Sequence, residues 1–224
     1  ILGESVKYAN EAKKYNNRAA VYPVYLGVNL TTINQVKKDL TVKLDKPSGE
    51  IWIAYAGSLG VSYDFNTLLD AVKHIHGRYK YKLWFVGDGV KHDEILSHIK
   101  SSDLNAKITG FLPYNQLLGY LSYCDIAINI FRDNTKVVYS YKFNDYVALD
   151  CFVLNSLEGE TAEMVDDYQI GRNFNFSDRP LAEVLEDTLV HWYKYAPWRK
   201  NCQRLIEEKL DKKKIYSVVK DIFR

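Results

Sequence analysis

The chain has 224 residues, enough to fill one hydrophobic core and part of a second. Charged residues are 26% and hydrophobic ones 47%, an ordinary globular composition, and the formal net charge of +2 is too balanced for nucleic acid as the main partner. Cys124, Cys151 and Cys202 stand far apart, with no CxxC or Cys/His cluster to hold a metal. They read as buried thiols of a reducing cytoplasm. No apolar run reaches the roughly 18 residues that a membrane helix needs. The first residue, Ile1, falls inside what reads as a helix, so a fragment of a longer protein is expected.

In chain order, Leu2, Val6, Ala9 and Ala12 recur at helical spacing, which predicts one helix over Ile1–Asn17. Ala19–Tyr25 reads as a short strand and Leu26-Gly-Val-Asn29 as a turn. Residues 31–49, polar and ending in Pro47-Ser-Gly49, read as a linker or solvated loop. A regular alternation then begins. Strands are expected at Ile51–Ala56, Tyr81–Val86, Ala106–Thr109, Ile126–Ile130, Cys151–Leu154 and Ile170–Phe176. Helices are expected after Asp64, at Asp93–Lys100, Tyr114–Ser122, from Ser140 or Tyr141 to Leu149, and at Thr161–Val165. Three more are expected at Pro180–Tyr195, Trp198–Leu210 and Lys212–Arg224. Strands alternating with single helices imply an α/β fold with a doubly wound parallel sheet and extra C-terminal helices.

In such sheets ligands bind beyond the carboxyl ends of the strands. The turns that land there are Gly57–Gly60, Gly87–Gly89, Gly110–Pro113, Phe131–Ser140 and Leu157–Glu163. None carries a GxGxxG with a following acidic residue, and Gly57-Ser58-Leu59-Gly60 lacks the GK[ST] of a P-loop, so neither a dinucleotide oxidoreductase nor a P-loop enzyme is expected. The helix opening near Ser140 offers free backbone N–H groups and a positive dipole end, suited to a phosphate. Lys142 adds a charge in the same turn, and Asp145, three residues on, can accept hydrogen bonds from a ribose diol. A plain surface ion pair between the two is the competing reading.

Taken in order, these blocks resemble the C-terminal, donor-binding domain of a GT-B glycosyltransferase, closest to the O-antigen and capsule branch of the large retaining family 4. The blocks are Tyr55-Ala-Gly-Ser-Leu-Gly60 with Tyr63-Asp64, Leu83-Trp-Phe-Val-Gly-Asp-Gly89, Ile108-Thr-Gly-Phe-Leu-Pro113 with Cys124-Asp125-Ile126, Ser140–Ala148, and Glu158–Glu163. The resemblance spans residues 52 to about 176 and implies a Rossmann-like half of a GT-B fold. By its analogy, Gly110, Phe111 and Leu112 meet the nucleotide base and Asp145 holds the ribose. Lys142 faces the diphosphate over the helix that Ser140 opens, and Gly57, Ser58, Gly87, Asp88 and Gly89 line the crevice. Residues 1–30 become the tail of a missing N-terminal acceptor domain, 31–210 the nucleotide-sugar-binding domain, and 211–224 a helix crossing back to the missing half.

The implied activity is transfer of a sugar from a nucleotide-diphosphate donor to a glycan or polyprenyl-linked acceptor in surface polysaccharide synthesis. No metal or other cofactor is expected, and peripheral membrane association would run through the missing half. The sequence departs from the family pattern at Val137, where the first glutamate of a Glu-x7-Glu motif would stand. Ser58, Leu59 and Val61 replace a basic residue after the first strand, leaving Arg132 or Lys136 as sources of a second charge. Two other readings are a nucleotide-sugar 2-epimerase of the same fold and a non-catalytic nucleotide-binding module. Asp166-Asp167 reads as a solvated turn, and His74, His76, His92 and His98 as helix-borne and structural.

Overall fold

The computed structural model of the chain describes residues 1–39 and 42–222. At the start, β1 (Leu2–Gly3) pairs in parallel with β2 (Tyr22–Pro23), and α1 (Val6–Tyr15) lies between them in sequence. The helix expected from residue 1 therefore begins five residues later. Ser5 is its N-cap: its backbone is extended and its hydroxyl accepts from the Tyr8 N–H at 3.1 Å, which frees Leu2 and Gly3 to pair as a strand.

The stretch 31–49, expected as a loop, opens instead with α2 (Leu30–Asp39); Leu40 and Thr41 lie outside the described residues. Asn29 caps it, its side-chain oxygen accepting from the Thr31 N–H at 3.1 Å. Ile33 and Val36, three apart, are buried against the sheet domain. Two apolar positions among lysines and threonines were too thin a periodicity to stand out.

The core is a six-stranded, all-parallel sheet of β3 (Ile51–Ala56), β4 (Tyr81–Val86), β5 (Ala106–Ile108), β6 (Ile126–Asn129), β7 (Phe152–Asn155) and β8 (Gly171–Asn173), in the order β5-β4-β3-β6-β7-β8. Both faces are covered, which is why each strand reads as a continuous apolar run. Trp52, Ala54, Trp84, Val86 and Val153 face one layer with α2, α5 (Tyr114–Leu121), α6 (Tyr141–Ala148) and α7 (Glu160–Asp167). Ile53, Tyr55, Leu83, Phe85 and Phe152 face the other, with α3 (Phe65–Ile75), α4 (His92–Ser101) and α8 (Leu181–Val190). At β8, a Cβ on Gly171 would lie 1.9 Å from the Val153 carbonyl oxygen, so only glycine lets that strand close on β7.

The expected Pro180–Tyr195 helix breaks at His191, and α9 (Trp192–Tyr195) follows. The expected Trp198–Leu210 helix is a composite run: 3₁₀ turns over Ala196–Asn201, α10 (Cys202–Leu205) and a π-helical turn over Ile206–Leu210. Then comes α11 (Lys212–Ile222). The termini meet: the Val28 N–H donates to Leu210 O at 2.6 Å and the Lys212 N–H to Val28 O at 3.2 Å.

One buried carboxylate ties this run to the sheet. Asp125, 9% exposed, accepts from the Trp52 N–H at 2.8 Å, from Lys46, and from the Arg199 guanidinium at 3.0 Å. Arg199 also reaches the carbonyls of Asp150 and Cys124. Removing one partner of such a set leaves the others desolvated and uncompensated, typically a loss of about 3 kcal/mol or more. Asp125→Ala is expected to lower the thermal midpoint by roughly 6–12 °C in a melt monitored by circular dichroism. An unchanged midpoint would remove this group from the set of fold-defining contacts.

Candidate functional site

The strand order reverses between β3 and β6, so the crossovers from these two strands leave in opposite directions and open a crevice at their carboxyl ends. β3 and β6 pair only at Ile53–Ile126 and Ala54–Ala127 before they diverge. The Tyr146 hydroxyl spans the gap, accepting from the Ala56 N–H at 2.9 Å and lying 3.3 Å from the Ile128 carbonyl. That bond fixes α6 over the reversal, and Lys142, one turn earlier on the same face, is thereby aimed into the crevice. The β3 and β4 exit turns are locked together. A Cβ on Gly87 would lie 2.0 Å from Gly57 O, and the Leu59 N–H donates to Asp88 O at 2.9 Å. Glycine at these turns is a requirement of backbone contact, and it holds the crevice wall in one shape.

Lys142 is not half of an ion pair. Its Nζ donates to the Tyr55 hydroxyl at 2.8 Å and sits 3.6 Å from the Tyr63 ring centroid, 4.3 Å from that of Tyr55 and 5.4 Å from that of Phe131. The three rings pack on one another, Tyr63 against Tyr55 at 5.5 Å and against Phe131 at 5.0 Å. Burial pushes the Tyr55 hydroxyl well above its ordinary range, so it stays neutral, and it donates its own proton to Ser58 O at 2.7 Å. Among the described residues no carboxylate pairs with Lys142. Burial without a counter-charge brings its pKa down to about 7.

Asp145 points elsewhere. It accepts from the Tyr114 hydroxyl at 2.6 Å, a bond that favours its ionised form, but burial dominates and raises its pKa to about 6. The surface ion pair once open as a reading is therefore absent, and each charge waits without an opposite one. Ser140 is the residue before α6. Its hydroxyl is buried without a hydrogen-bond partner, beside the first turn of the helix.

The remaining expected residues gather at the rim. Phe111 is 83% exposed in the loop after β5, while the half-buried side chain of Leu112 packs against the core. Asp88 is exposed. Its carboxylate accepts from the Gly89 N–H and meets His92 at 2.9 Å, and both bonds hold it below the usual carboxylate range. His92, at the first turn of α4, thus reaches the rim. His74 meets Glu186, and His76 meets Tyr81, away from it. Arg132, Lys136 and Val137 line a separate cavity at the ends of β6, β7 and β8. Asp166 and Asp167 are the exposed last residues of α7 and not a turn. Among the described residues no three His, Cys, Asp or Glu gather to hold a metal.

Tyr55, Tyr63, Phe131 and Tyr114 complete the site and were not foreseen as parts of it. The available signal was Tyr55, a residue with a polar tip near the carboxyl end of a strand of otherwise apolar residues.

No family model matches the chain, and no curated protein matches it in sequence. Solved structures do match. All of the chain aligns with 62% of Anabaena Alr3699/HepE, crystallised in complex with UDP and glucose, at 15% identity and a TM-score of 0.76. It aligns over 96% of its length with 61% of WaaG, a glycosyltransferase involved in lipopolysaccharide biosynthesis, at 12% identity and 0.69. All of it aligns with 57% of sucrose-phosphate synthase from Thermosynechococcus elongatus, at 16% identity and 0.77. The chain thus spans about three fifths of the length of these structures. At these identities the likeness is one of fold: a Rossmann-like half of a GT-B architecture.

The buried ammonium has a cost that pH reads directly. Below its folded pKa of about 7, Lys142 is charged in both the folded and unfolded states and the full desolvation penalty applies. Between about 7 and 10 the unfolded chain binds the extra proton, so stability from this group rises with pH. Lys142→Met is expected to melt higher than the parent at pH 6.5 and to converge with it toward pH 10. A variant that melts lower at every pH would contradict a strained, uncompensated charge.

Proposed function

We propose that this chain is the donor-binding half of a retaining, metal-independent glycosyltransferase, which moves a sugar from a nucleotide diphosphate to a glycan or lipid-linked acceptor. The observation that carries the reading is Lys142, an ammonium with no carboxylate partner in an aromatic cage at the strand-order reversal. A diphosphate is the complement of such a group. Its negative charge restores the proton that burial makes labile, and its oxygens meet the free N–H groups at the start of α6.

Cleavage of the sugar–phosphate bond builds charge on those same oxygens. A cation and a helix dipole fixed beforehand stabilise that charge without reorganisation, and loss of one such donor typically costs about 10²–10³ in rate. Asp145, ionised above about pH 6, accepts from the ribose hydroxyls, and Tyr114 holds it in place. The exposed face of Phe111 covers the base, with Gly110 and the Gly87–Gly89 turn behind it. The HepE structures, which hold UDP, UDP-glucose, or UDP with glucose, support a uridine nucleotide as the first candidate.

In this reading residues 1–30 are the end of an N-terminal acceptor-binding half, 31–210 the donor domain, and α11 with the rest of 211–224 the return toward that half. The synthesis served is that of a surface polysaccharide, at the cytoplasmic face of a membrane to which the protein attaches peripherally. The family 4 pattern supports these finer points, and Val137 leaves the donor sugar without the usual glutamate.

Calorimetric titration of the chain with UDP, GDP, ADP and CMP tests the core of the proposal. One diphosphate is expected to bind saturably, indifferent to EDTA, and to weaken at least tenfold in Lys142→Ala and in Asp145→Ala. Binding that depends on a divalent ion, or that ignores both substitutions, would refute it.

A further inference from the structure

The loop Phe131–Ser140 has two sides. One supplies Phe131 to the Lys142 cage; the other closes a second cavity of about 330 Å³ at the carboxyl ends of β6, β7 and β8. That size lies in the range of small-molecule sites, about 300–1,000 Å³. Its chemistry differs from that of the crevice. Lys7, Arg132, Lys136 and Arg179 line it, against Asp133 and Glu158, so basic groups outnumber acidic ones by four to two. None of those four bases forms an ion pair among the described residues.

The cavity is also framed rigidly. Asn129, Asn155 and Asn173 stand in register on adjacent strands and form an amide ladder. The Asn129 amide donates to Asn155 at 2.7 Å, the Asn155 amide to Asn173 at 2.8 Å, and the Asn173 amide to Ala162 O at 3.0 Å. The Asn155 side chain also holds both the N–H and the carbonyl of Leu157 in the lining. The Asn175 side-chain oxygen accepts from the N–H groups of Ser177, Asp178 and Arg179, which sets the turn that brings Arg179 round. Phe174 and Phe176, their ring centroids 6.2 Å apart, add apolar surface to the lining. Apolar surface, fixed amides and unpaired cations together suit a sugar ring that carries a negative charge, because guanidinium and ammonium groups recognise phosphate and carboxylate.

We propose that this cavity seats an anionic sugar, phosphorylated or carboxylated, that belongs to the acceptor. The inference rests on the donor reading above in one respect: because one loop lines both sites, a sugar here lies beside the donor held over Lys142.

The test titrates the chain separately with glucose 6-phosphate, glucuronate, glucose, inorganic phosphate and UDP, then repeats the series on the Lys7→Gln/Arg179→Gln double variant. Glucose 6-phosphate or glucuronate is expected to bind saturably, the tighter of the two naming the substituent, and to weaken about tenfold or more in the variant. Glucose should show no comparable binding, and UDP should bind parent and variant alike. Anionic sugars that bind no better than glucose, or that ignore the two substitutions, overturn the proposal. Inorganic phosphate bound as tightly as glucose 6-phosphate also overturns it, since the ring would then contribute nothing. If UDP binds and the anionic sugars do not, this inference fails alone. If the anionic sugars behave as expected and UDP does not bind, the donor reading fails and the anionic-sugar cavity stands.

Discussion

A half-buried ammonium with no carboxylate beside it is the constraint around which this site is arranged. Proteins avoid that situation because burial of an unpaired charge costs several kcal/mol, and a neutral side chain of similar shape would pack in the same place. Here three aromatic rings and a neutral phenol receive Lys142 Nζ, and together they attract a cation without cancelling its charge. The group is left with its charge available, and its pKa of about 7 shows how nearly burial removes it. Asp145 complements this arrangement three residues on, turned to Tyr114 instead of to the lysine. Two opposite charges on one helical turn that do not meet are poised for a ligand with both anionic and hydroxyl groups.

The rest of the molecule keeps that turn in place. Tyr146 fastens α6 across the gap where β3 and β6 part, and Asp125 with Arg199 binds the start of β3 and the C-terminal helical run into one unit. Glu160 does the same for the beginning of the chain: its carboxylate accepts from the Val6 N–H at 3.0 Å and the Lys7 N–H at 2.7 Å, at the positive end of α1. Asp125 and Glu160, which belong to blocks that carried part of the family resemblance, thus act through structure.

Much of this was legible in the chain. Apolar runs bounded by glycine turns fixed the six sheet strands, because burial on both faces leaves little choice of residue. Lys142 and Asp145 stood out for a different reason, as opposite charges three apart at the opening of a helix, and the glycine turns as strand exits. The strand order was not legible, since it depends on which runs pair, and neither was α2, whose two buried residues sit among polar ones. The aromatic cage escaped because Tyr55, Tyr63 and Phe131 come from three separate segments and resemble ordinary core side chains. The side chain of Leu112 packs against the core, as its apolar character favours, which leaves the backbone of the Gly110–Leu112 loop for the contact with a base that the resemblance implies.

The most direct measurement is the pKa of Lys142 itself, followed through its Cε resonance by NMR with and without UDP. The account requires a value near 7 in the free chain, raised by at least one unit when the diphosphate binds, since the bound anion favours the ammonium. A value near that of an ordinary exposed lysine, or one that UDP leaves unmoved, would contradict the claim that this side chain is a buried cation kept for a phosphate.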